Sequence, residues 1–331
     1  MELKQVGEFG LIQLLKEDTI ADPSSVVVGI GDDAAVLLPT PHQLQLITAD
    51  MLVENVHFAL HTTTPWQLGY KAIGVSLSDI AAMGGRPHHA VVSIALSPET
   101  PAEVVLNIYQ GMKEICHQFG VNIVGGDTVS SPGGMVINVT VLGEVEPGNL
   151  LRRSGAQVGD LVVVTGNLGN SGAGLELLSR PDWEEYEFAW PLVTAHLTPS
   201  PQVKTGQMLA AFGATSMDDI SDGLASEANE IASASGVGMR LYSRQIPLSK
   251  EIREAAVLLE KSALDFALYG GEDFQLLFTI DKDHFKQIPA EEPDVPLTVI
   301  GEVVERGEGI QLINEHGDAV VLEPGGYNHF R

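Results

Sequence analysis

The chain has 331 residues, of which 44% are hydrophobic and 19% are charged, so it can form a sizeable core, and this composition argues against wholesale disorder. With 18 Lys and Arg against 44 Asp and Glu, the net charge is −26, and such a field repels nucleic acids and anionic membranes. Cys116 is the only cysteine, which excludes an intrachain disulfide and a cysteine-rich zinc site.

Strands and helices alternate in the first part of the chain. A helix is predicted around residues 9–16, followed by the strand SSVVVGI, the loop GIGDDAA and the strand LQLITAD. The segments WQLGYKAIGVSLSDIAAMGG and PAEVVLNIYQGMKEICHQFG are predicted helices that end at glycines. The remaining predicted strands of this part are HAVVSIALS, VNIVGG and MVINVTVLGEV. This alternation predicts the α/β or α+β class.

The segment EPGNLLRRSGAQ is the best candidate for a domain boundary, because Pro147, Gly148 and Asn149 interrupt the pattern before a new strand. We therefore expect two domains, residues 1–148 and residues 149–331. The second begins with the strand DLVVVTG, the glycine-rich loop GNLGNSGAG, a helix and a stretch rich in Trp and Pro. Further predicted elements are a helix over residues 201–212, the acidic turn TSMDDISDGL, a helix through Ala234, the strands GMRLYS and FQLLFTI, the turn LYGGED, and a β-rich end.

The cellular location is predicted from features that the sequence lacks. The N-terminal stretch MELKQVGEFG does not have the pattern of a signal peptide. No apolar stretch approaches the ~20 residues that a membrane span requires. We therefore expect a cytoplasmic protein.

The loop GIGDDAA allows three interpretations: an Asp-rich turn, a metal site, or a dinucleotide-binding fingerprint of the G-x-G-x-x-A type. The fingerprint requires a helix directly after the glycines, and Pro39 and Pro41 disfavour one there. Asp32 and Asp33 also place negative charge where a pyrophosphate would bind. From this loop alone, the turn and the metal site both remain open.

Carboxylates recur at the ends of predicted strands, next to glycines that allow close approach to the backbone. They are Asp50, Asp127, Asp219, Asp222, Glu272 and Asp273. Each could be a turn residue or a helix cap, but together they suit Mg²⁺, a hard cation that binds oxygen donors. Asp79 lies inside an apolar helix, where an unpartnered carboxylate is costly, so it either caps a local group or faces a cation.

Three other features allow both a functional and a structural interpretation. The amides of GNLGNSGAG could cradle phosphates, or the loop could be a tight connection between a strand and a helix; it lacks the lysine of a Walker A loop. Arg153 could contact a phosphate or lie solvated at the surface. His57 could bind a ligand or be a satisfied structural residue. No GxSxG elbow supports Ser-His-Asp catalysis.

The motifs together resemble those of the thiamine-monophosphate kinase family, within the AIR-synthetase-like (PurM-like) superfamily. The histidine of ITADMLVENVHF and the pairing of SDGL with GGED favour this family over selenophosphate synthetase and other superfamily members. The resemblance runs nearly end to end through the segments GEFGLI, GIGDDAA, ITADMLVENVHF, LGYKAIGVSLSDIAAMGG, GGDT, RSGAQVGD, VTGNLGNSGAG, DISDGLASE, LYGGEDFQLLFT and GYNHF.

The resemblance implies a fold, a reaction and partners. ATP would donate its γ-phosphoryl group directly to the phosphate of thiamine monophosphate, with several Mg²⁺ ions, giving thiamine diphosphate and ADP. The protein would be a homodimer in which the mixed N-terminal sheets of two subunits close into a barrel and the C-terminal α/β domains pack outside. No nucleic acid or membrane partner is expected.

The resemblance also implies site residues. Metal ligands would be Asp33, Thr48, Asp50, Asp79, Asp127, Asp219 and Asp222. Nucleotide contacts would come from Tyr109, Gly126, Arg153 and Ser221. Contacts to thiamine monophosphate would come from His57, Glu272 and Tyr327. Ala49 replaces a hydroxyl residue that is frequent in the family, and Asp32 matches the motif without an assigned role. No acid or base is assigned, because the acceptor phosphate oxygens are already ionised at neutral pH.

Two alternatives to this activity remain. The first is another ATP-using member of the superfamily that acts on a different acceptor. The second is a non-catalytic protein that binds Mg²⁺ and nucleotide, although the retained acidic positions argue against it.

Overall fold

The computed structural model describes residues 3–31, 34–291 and 293–326. The chain divides into two compact units, the first comprising residues 1–80 and 85–147 and the second residues 81–84 and 148–331. No helix in the described ranges is both long enough and apolar enough to cross a membrane.

The first unit is built on a mixed sheet of four strands. Its helices are α1 (Leu3–Val6), α2 (Glu8–Leu15), α3 (Pro65–Ala82) and α4 (Ala102–Phe119). Its strands are β1 (Val26–Val28), β2 (Val36–Leu37), β3 (Leu44–Val53), β4 (Arg86–Leu96), β5 (Asn122–Ser130) and β6 (Val136–Val145). The sheet has the order β3-β6-β4-β5, in which β4 and β5 are parallel and the other pairs antiparallel. Strands β1 and β2 form a separate antiparallel pair.

The two long helices of this unit, α3 and α4, pack against each other at glycines. A Cβ atom on Gly69 would lie 1.8 Å from the carbonyl oxygen of Ile108, and one on Gly111 would lie 1.9 Å from that of Trp66. No side chain fits at either position, so the glycines allow the helix backbones to touch. This contact fixes the position of α3, which carries two residues of the candidate site.

The sheet of the first unit has one buried and one open face, because side chains alternate along each strand. Residues of β6 alternate strictly between buried and partly exposed. On β3, Leu46 and Leu52 are buried, whereas Ile47 and Met51 are 73% and 53% exposed. The open face therefore presents large apolar side chains.

The second unit is built on a mixed sheet of seven strands in the order β13-β12-β9-β11-β7-β10-β8, in which only β9 and β12 form a parallel pair. Its strands are β7 (Leu161–Thr165), β8 (Ala214–Asp219), β9 (Gly238–Tyr242), β10 (Leu276–Ile280), β11 (Leu297–Val304), β12 (Ile310–Ile313) and β13 (Ala319–Val321). Its helices are α5 (Asn170–Leu178), α6 (Ala189–Leu197), α7 (Val203–Ala211), α8 (Leu224–Ser235), α9 (Lys250–Leu259), α10 (Ala263–Tyr269) and α11 (Lys282–Phe285).

The predicted mixture of helices and strands is confirmed in both units, and the predicted helices and strands lie within a few residues of those observed. Strands β3 and β5 continue past Asp50 and Asp127, which were expected at the strand ends. The segment TSMDDISDGL was expected to be a turn, but its first half forms β8. The helices α9, α10 and α11 were not predicted, and neither was α6, which lies in the stretch described only as rich in Trp and Pro. Pro191 stands in the first turn of α6, where a proline is tolerated because the missing N–H would have no helical acceptor.

Candidate functional site

In the first unit, strand β3 and helix α3 bring two carboxylates and two hydroxyls together. Thr48 and Asp50 are two residues apart on β3 and so share a face of the sheet. Ser76 and Asp79 are three residues apart on α3 and so share a face of the helix. The Thr48 hydroxyl donates to the Asp79 carboxylate, and the Ser76 hydroxyl donates to Oδ2 of Asp50 at 2.6 Å. Ser76 was not identified from the sequence.

The environment of Asp50 disfavours an isolated negative charge. Burial raises the pKa of Asp50, against the opposing effects of the Ser76 hydrogen bond and of His57. A carboxylate whose charge is disfavoured by burial gains from a nearby cation. His57 is held beside the strand because the backbone N–H of Val53 donates to its Nδ1 at 3.0 Å.

These donors fit Mg²⁺ in their chemistry, since the cation prefers carboxylate and hydroxyl oxygens. Within residues 3–31, 34–291 and 293–326, no three His, Cys, Asp or Glu side chains converge closely enough to hold a metal ion by themselves. Mg²⁺ typically binds through one or two carboxylates and keeps water or phosphate oxygens as further ligands. The Asp50 and Asp79 carboxylates therefore suit a Mg²⁺ ion whose remaining ligands are water or phosphate oxygens. Asp32 and Asp33 lie outside the described residues.

Ala49 lies on the other face of β3 from Thr48 and Asp50, because neighbouring strand residues point in opposite directions. It pairs with Thr140 of β6 and is exposed. The absence of a hydroxyl at position 49 therefore leaves the Thr48–Asp79 and Asp50–Ser76 pairs intact.

Gly126 and Asp127 lie on β5, at the far side of the same sheet. In the strand register, Asp50 pairs with Val139, Val139 with Val92, and Val92 with Gly126. Three strand spacings separate Asp50 from Gly126, roughly 14 Å. Asp127 occupies the neighbouring row and is exposed. The structure therefore brings Thr48, Asp50 and Asp79 together, but it does not place Asp127 beside them.

The backbone around Gly126 leaves no room for a side chain. A Cβ atom there would lie 1.9 Å from the carbonyl oxygen of Val92. The residue is also exposed, so a ligand can approach its backbone closely, as the predicted nucleotide contact requires.

Tyr109, the other nucleotide-binding residue predicted in this unit, lies on α4 and is 5% exposed. Burial raises the pKa of its hydroxyl, which therefore stays protonated at neutral pH. Its contact with nucleotide remains a prediction.

In the second unit, the acidic turn begins at the end of β8. Asp218 and Asp219 are buried, and Ser221 and Asp222 are partly exposed just before α8. The N-cap position of α8 is occupied by Gly223. Asp222 therefore lies before the cap and does not have the capping position that the structural interpretation of the sequence gave it.

Glu227 organises this turn, although the sequence interpretation did not single it out. Its Oε1 accepts hydrogen bonds from the Asp222 backbone N–H at 2.9 Å and from the Ser221 hydroxyl at 3.4 Å. Glu227 is the fourth residue after the N-cap Gly223, and it binds the backbone N–H before the cap, whereas the glutamate of a capping box is the third residue and binds the N–H of the cap itself. Burial raises the pKa of Glu227 to about 9. The backbone before α8 is thereby fixed, and Asp222 with it.

Arg153 is paired and also half exposed. Its Nε lies 2.7 Å from Oδ2 of Asp218, its Nη1 pairs with Glu230, and 54% of the side chain is exposed. Burial raises the pKa of Asp218 to about 7, although Arg153 opposes the shift. Two carboxylates thus already compensate part of the Arg153 charge, and its exposed part can still meet an anion.

The GGED segment runs directly against the acidic turn. The backbone N–H of Glu272 donates to the carbonyl of Ser221 at 2.7 Å, and that of Phe274 donates to the carbonyl of Ile220 at 2.9 Å. A Cβ atom on Gly271 would lie 2.5 Å from the Ser221 oxygen. The predicted substrate residue Glu272 therefore lies next to the predicted nucleotide residue Ser221. Tyr327, the third predicted substrate residue, lies outside the described residues.

The carboxylate of Asp273 holds the backbone of the glycine-rich loop GNLGNSGAG. This carboxylate is buried and accepts hydrogen bonds from the backbone N–H groups of Gly169 at 2.5 Å and Ser171 at 3.1 Å. Burial raises the pKa of Asp273 to about 7, opposed by these amides. An internal carboxylate thus occupies amides that a phosphate would need, and the loop is a tight connection between β7 and α5.

Asp273→Asn should lower the free energy of unfolding by about 1–3 kcal/mol. The amide replaces one acceptor oxygen by an NH₂ group, which then faces a buried backbone N–H. Urea denaturation at pH 7 measures the effect. Asp294→Asn, on an exposed loop, is the matched control and should leave the midpoint unchanged; equal midpoints for both variants would contradict this role of Asp273.

The chain matches two family descriptions, AIR synthase related protein, N-terminal domain, over residues 31–145, and AIR synthase related protein, C-terminal domain, over residues 157–313. It is 38% identical to a thiamine-monophosphate kinase of Bacillus subtilis over 331 residues, covering 98% of this chain and 100% of the relative.

Solved structures are similar over nearly the whole chain. A crystal structure of thiamine-monophosphate kinase from Stenotrophomonas maltophilia superposes with a TM-score of 0.81 at 33% identity, covering 95% of this chain and 98% of that one. A structure of AaThiL complexed with AMPPCP and TMP superposes with a TM-score of 0.77 at 36% identity, covering 100% of this chain and 99% of that one.

Proposed function

The chain belongs to the thiamine-monophosphate kinase family, and from that premise we propose that it transfers the γ-phosphoryl group of ATP to the phosphate of thiamine monophosphate. The products are thiamine diphosphate and ADP. The observation that carries the proposal is the similarity, over the full chain, to proteins named for this reaction and to a structure complexed with AMPPCP and TMP.

The β3–α3 contact supports the chemistry. Two phosphate-bearing substrates must approach each other, and the chain is itself strongly acidic, with a net charge of −26. Mg²⁺, when bound, supplies the positive charge that phosphoryl transfer requires. Ser76 holds the Asp50 carboxylate, and Thr48 holds that of Asp79, so these oxygen donors are oriented before any ligand arrives.

We assign the remaining roles on the same premise. Proposed metal ligands are Asp33, Thr48, Asp50, Asp79, Asp127, Asp219 and Asp222. Proposed nucleotide contacts are Tyr109, Gly126, Arg153 and Ser221. Proposed contacts to thiamine monophosphate are His57, Glu272 and Tyr327. The acceptor oxygen is already ionised at neutral pH, so no side chain has to remove a proton from it.

We further propose two domains, residues 1–148 for ATP, Mg²⁺ and dimer contacts and residues 149–331 as the second α/β domain, and a homodimer with a barrel formed by two N-terminal sheets. The open face of the first sheet supports the dimer, since Ile47 and Met51 are 73% and 53% exposed there. Large apolar side chains grouped on one sheet face are typical of a protein interface.

Ile47→Lys should convert the dimer into a monomer, because it buries a charge in the proposed interface. Sedimentation velocity measures the change. Val257→Lys, on α9 with 81% exposure, is the matched control and should remain dimeric. An unaltered protein that sediments as a monomer would overturn the proposed dimer.

The activity is tested by incubating the purified protein with Mg²⁺, ATP and either thiamine monophosphate or thiamine, followed by oxidation and fluorescence detection of thiamine diphosphate. We expect product with the monophosphate only. Absence of thiamine diphosphate, with phosphorylation of another acceptor, would overturn the proposal and favour a different ATP-using activity.

A further inference from the structure

A buried histidine contacts the carboxylate that is proposed to bind the acceptor. His196 lies on α6 and is 5% exposed. Its Nδ1 is 3.2 Å from Oε2 of Glu272 and 3.1 Å from Oγ of Ser171. An ionised carboxylate only accepts hydrogen bonds, so a hydrogen bond to Glu272 needs the tautomer that carries the proton on Nδ1. In that tautomer the same N–H also faces the Ser171 oxygen, which then accepts.

Close backbone contacts hold the three elements that meet here. A Cβ atom on Gly174 of α5 would lie 2.1 Å from the carbonyl oxygen of Leu192 on α6. One on Gly172 would lie 3.0 Å from the Cα atom of Gly270. Helix α5 is therefore in tight contact with both α6 and the GGED segment, and His196 has little freedom to move away from Glu272.

The backbone of Glu272 is as constrained as its side chain. Its φ is +64°, a left-handed conformation that is uncommon for a residue with a side chain. The surrounding contacts maintain it, including the hydrogen bond to the Ser221 carbonyl. About a quarter of the side chain, 26%, remains exposed. One side of the Glu272 carboxylate is thus held by protein contacts, and the other side is accessible to a ligand.

We infer that His196 is a positioning residue that orients the Glu272 carboxylate for binding the acceptor, thiamine monophosphate. The inference rests on the proposed function. The protonated Nδ1 fixes the orientation of one carboxylate oxygen, and a carboxylate that is already oriented loses less side-chain entropy on binding. His196 itself does not touch the substrate.

Two substitutions by residues of similar shape to each other separate this role from simple packing. His196→Asn keeps a donor near the position of Nδ1, whereas His196→Leu introduces a side chain shaped like asparagine that has no donor. Both lose the ring, so packing alone predicts equal losses. We expect His196→Leu to raise the KM for thiamine monophosphate by about 10- to 100-fold, the range for a hydrogen bond to a charged group. His196→Asn should stay within about threefold of the unaltered protein, and the KM for ATP should stay within about twofold in both.

A double substitution tests whether the effect acts through Glu272. In a Glu272→Ala background, the difference between the Asn and Leu variants at position 196 should vanish, because no carboxylate is left to orient. Calorimetric titration with thiamine monophosphate, in the absence of ATP, should give the same ranking as the KM values. His316→Leu, at an exposed turn, is the control for a histidine replacement.

The possible failures are distinguishable. If the unaltered protein forms no thiamine diphosphate and does not bind the monophosphate, the proposed function is overturned, and the inference with it. If the unaltered protein is active but the Asn and Leu variants have equal KM values for the monophosphate, the inference alone is overturned. A rise in the KM for ATP as large as that for the monophosphate would also overturn it.

Discussion

Asp50→Asn should lower kcat by about 10²- to 10³-fold, the typical loss when one electrostatic group is removed from an active site. The substitution removes the negative charge but keeps an oxygen that can accept the hydrogen bond from Ser76, which Asp50 accepts at 2.6 Å. The fold should therefore persist while Mg²⁺ binding weakens. Steady-state kinetics at increasing Mg²⁺ concentrations measure the effect, and high Mg²⁺ should restore part of the rate.

Asp294→Asn is the matched control for this substitution. It removes the same charge from an exposed loop and should leave kcat unchanged. An Asp50→Asn variant with kcat within about threefold of the unaltered protein would contradict a metal role for Asp50.

Asp222→Asn should reduce kcat by a similar factor, about 10²- to 10³-fold, through the second unit. The backbone N–H of Asp222 donates to Glu227, and the substitution leaves this contact unchanged. The urea midpoint should therefore stay the same while turnover falls. The measurement is kcat together with the midpoint for the same protein preparation.

The two aspartate variants separate the contributions of the two units. If Asp50→Asn impairs turnover and Asp222→Asn does not, the metal role assigned to the acidic turn is wrong, and that of the β3–α3 contact stands. If Asp222→Asn unfolds the protein, then Asp222 is a structural residue of the turn before α8.

Much of the fold could be predicted because its signals are local. The long helices α3 and α4 end close to glycines, and the strands are rich in β-branched residues, so a short window of sequence identifies each. The helix α6 could not be identified in this way, because it is short and its Pro191 is also a typical signal for a loop. It carries His196, so the missed helix also concealed a residue beside the site.

The candidate site was only partly predictable, because its carboxylates are visible in the sequence and their partners are not. Ser76 meets Asp50 across 26 residues of chain, and Asp273 meets Gly169 across 104. Such contacts depend on how the elements pack, which no local pattern records. For the same reason, the sequence of the glycine-rich loop was compatible with phosphate binding, whereas in the structure its backbone N–H groups donate to the Asp273 carboxylate.

The sequence does contain a signal for the role of Glu227. Glu227 is an acidic residue in the first turn of the helix predicted after SDGL, where a carboxylate interacts favourably with backbone N–H groups that have no helical acceptor. Its buried carboxylate accepts from Asp222 and Ser221, so it supports two of the predicted site residues without being one itself.

Direct transfer of the phosphoryl group is the central claim, and it is tested most directly with ATP labelled in the γ-phosphate. Unaltered protein, Mg²⁺ and thiamine monophosphate should give labelled thiamine diphosphate and ADP in equal amounts, with no labelled inorganic phosphate beyond background. ADP accompanied by labelled inorganic phosphate, with no label in thiamine diphosphate, would contradict it.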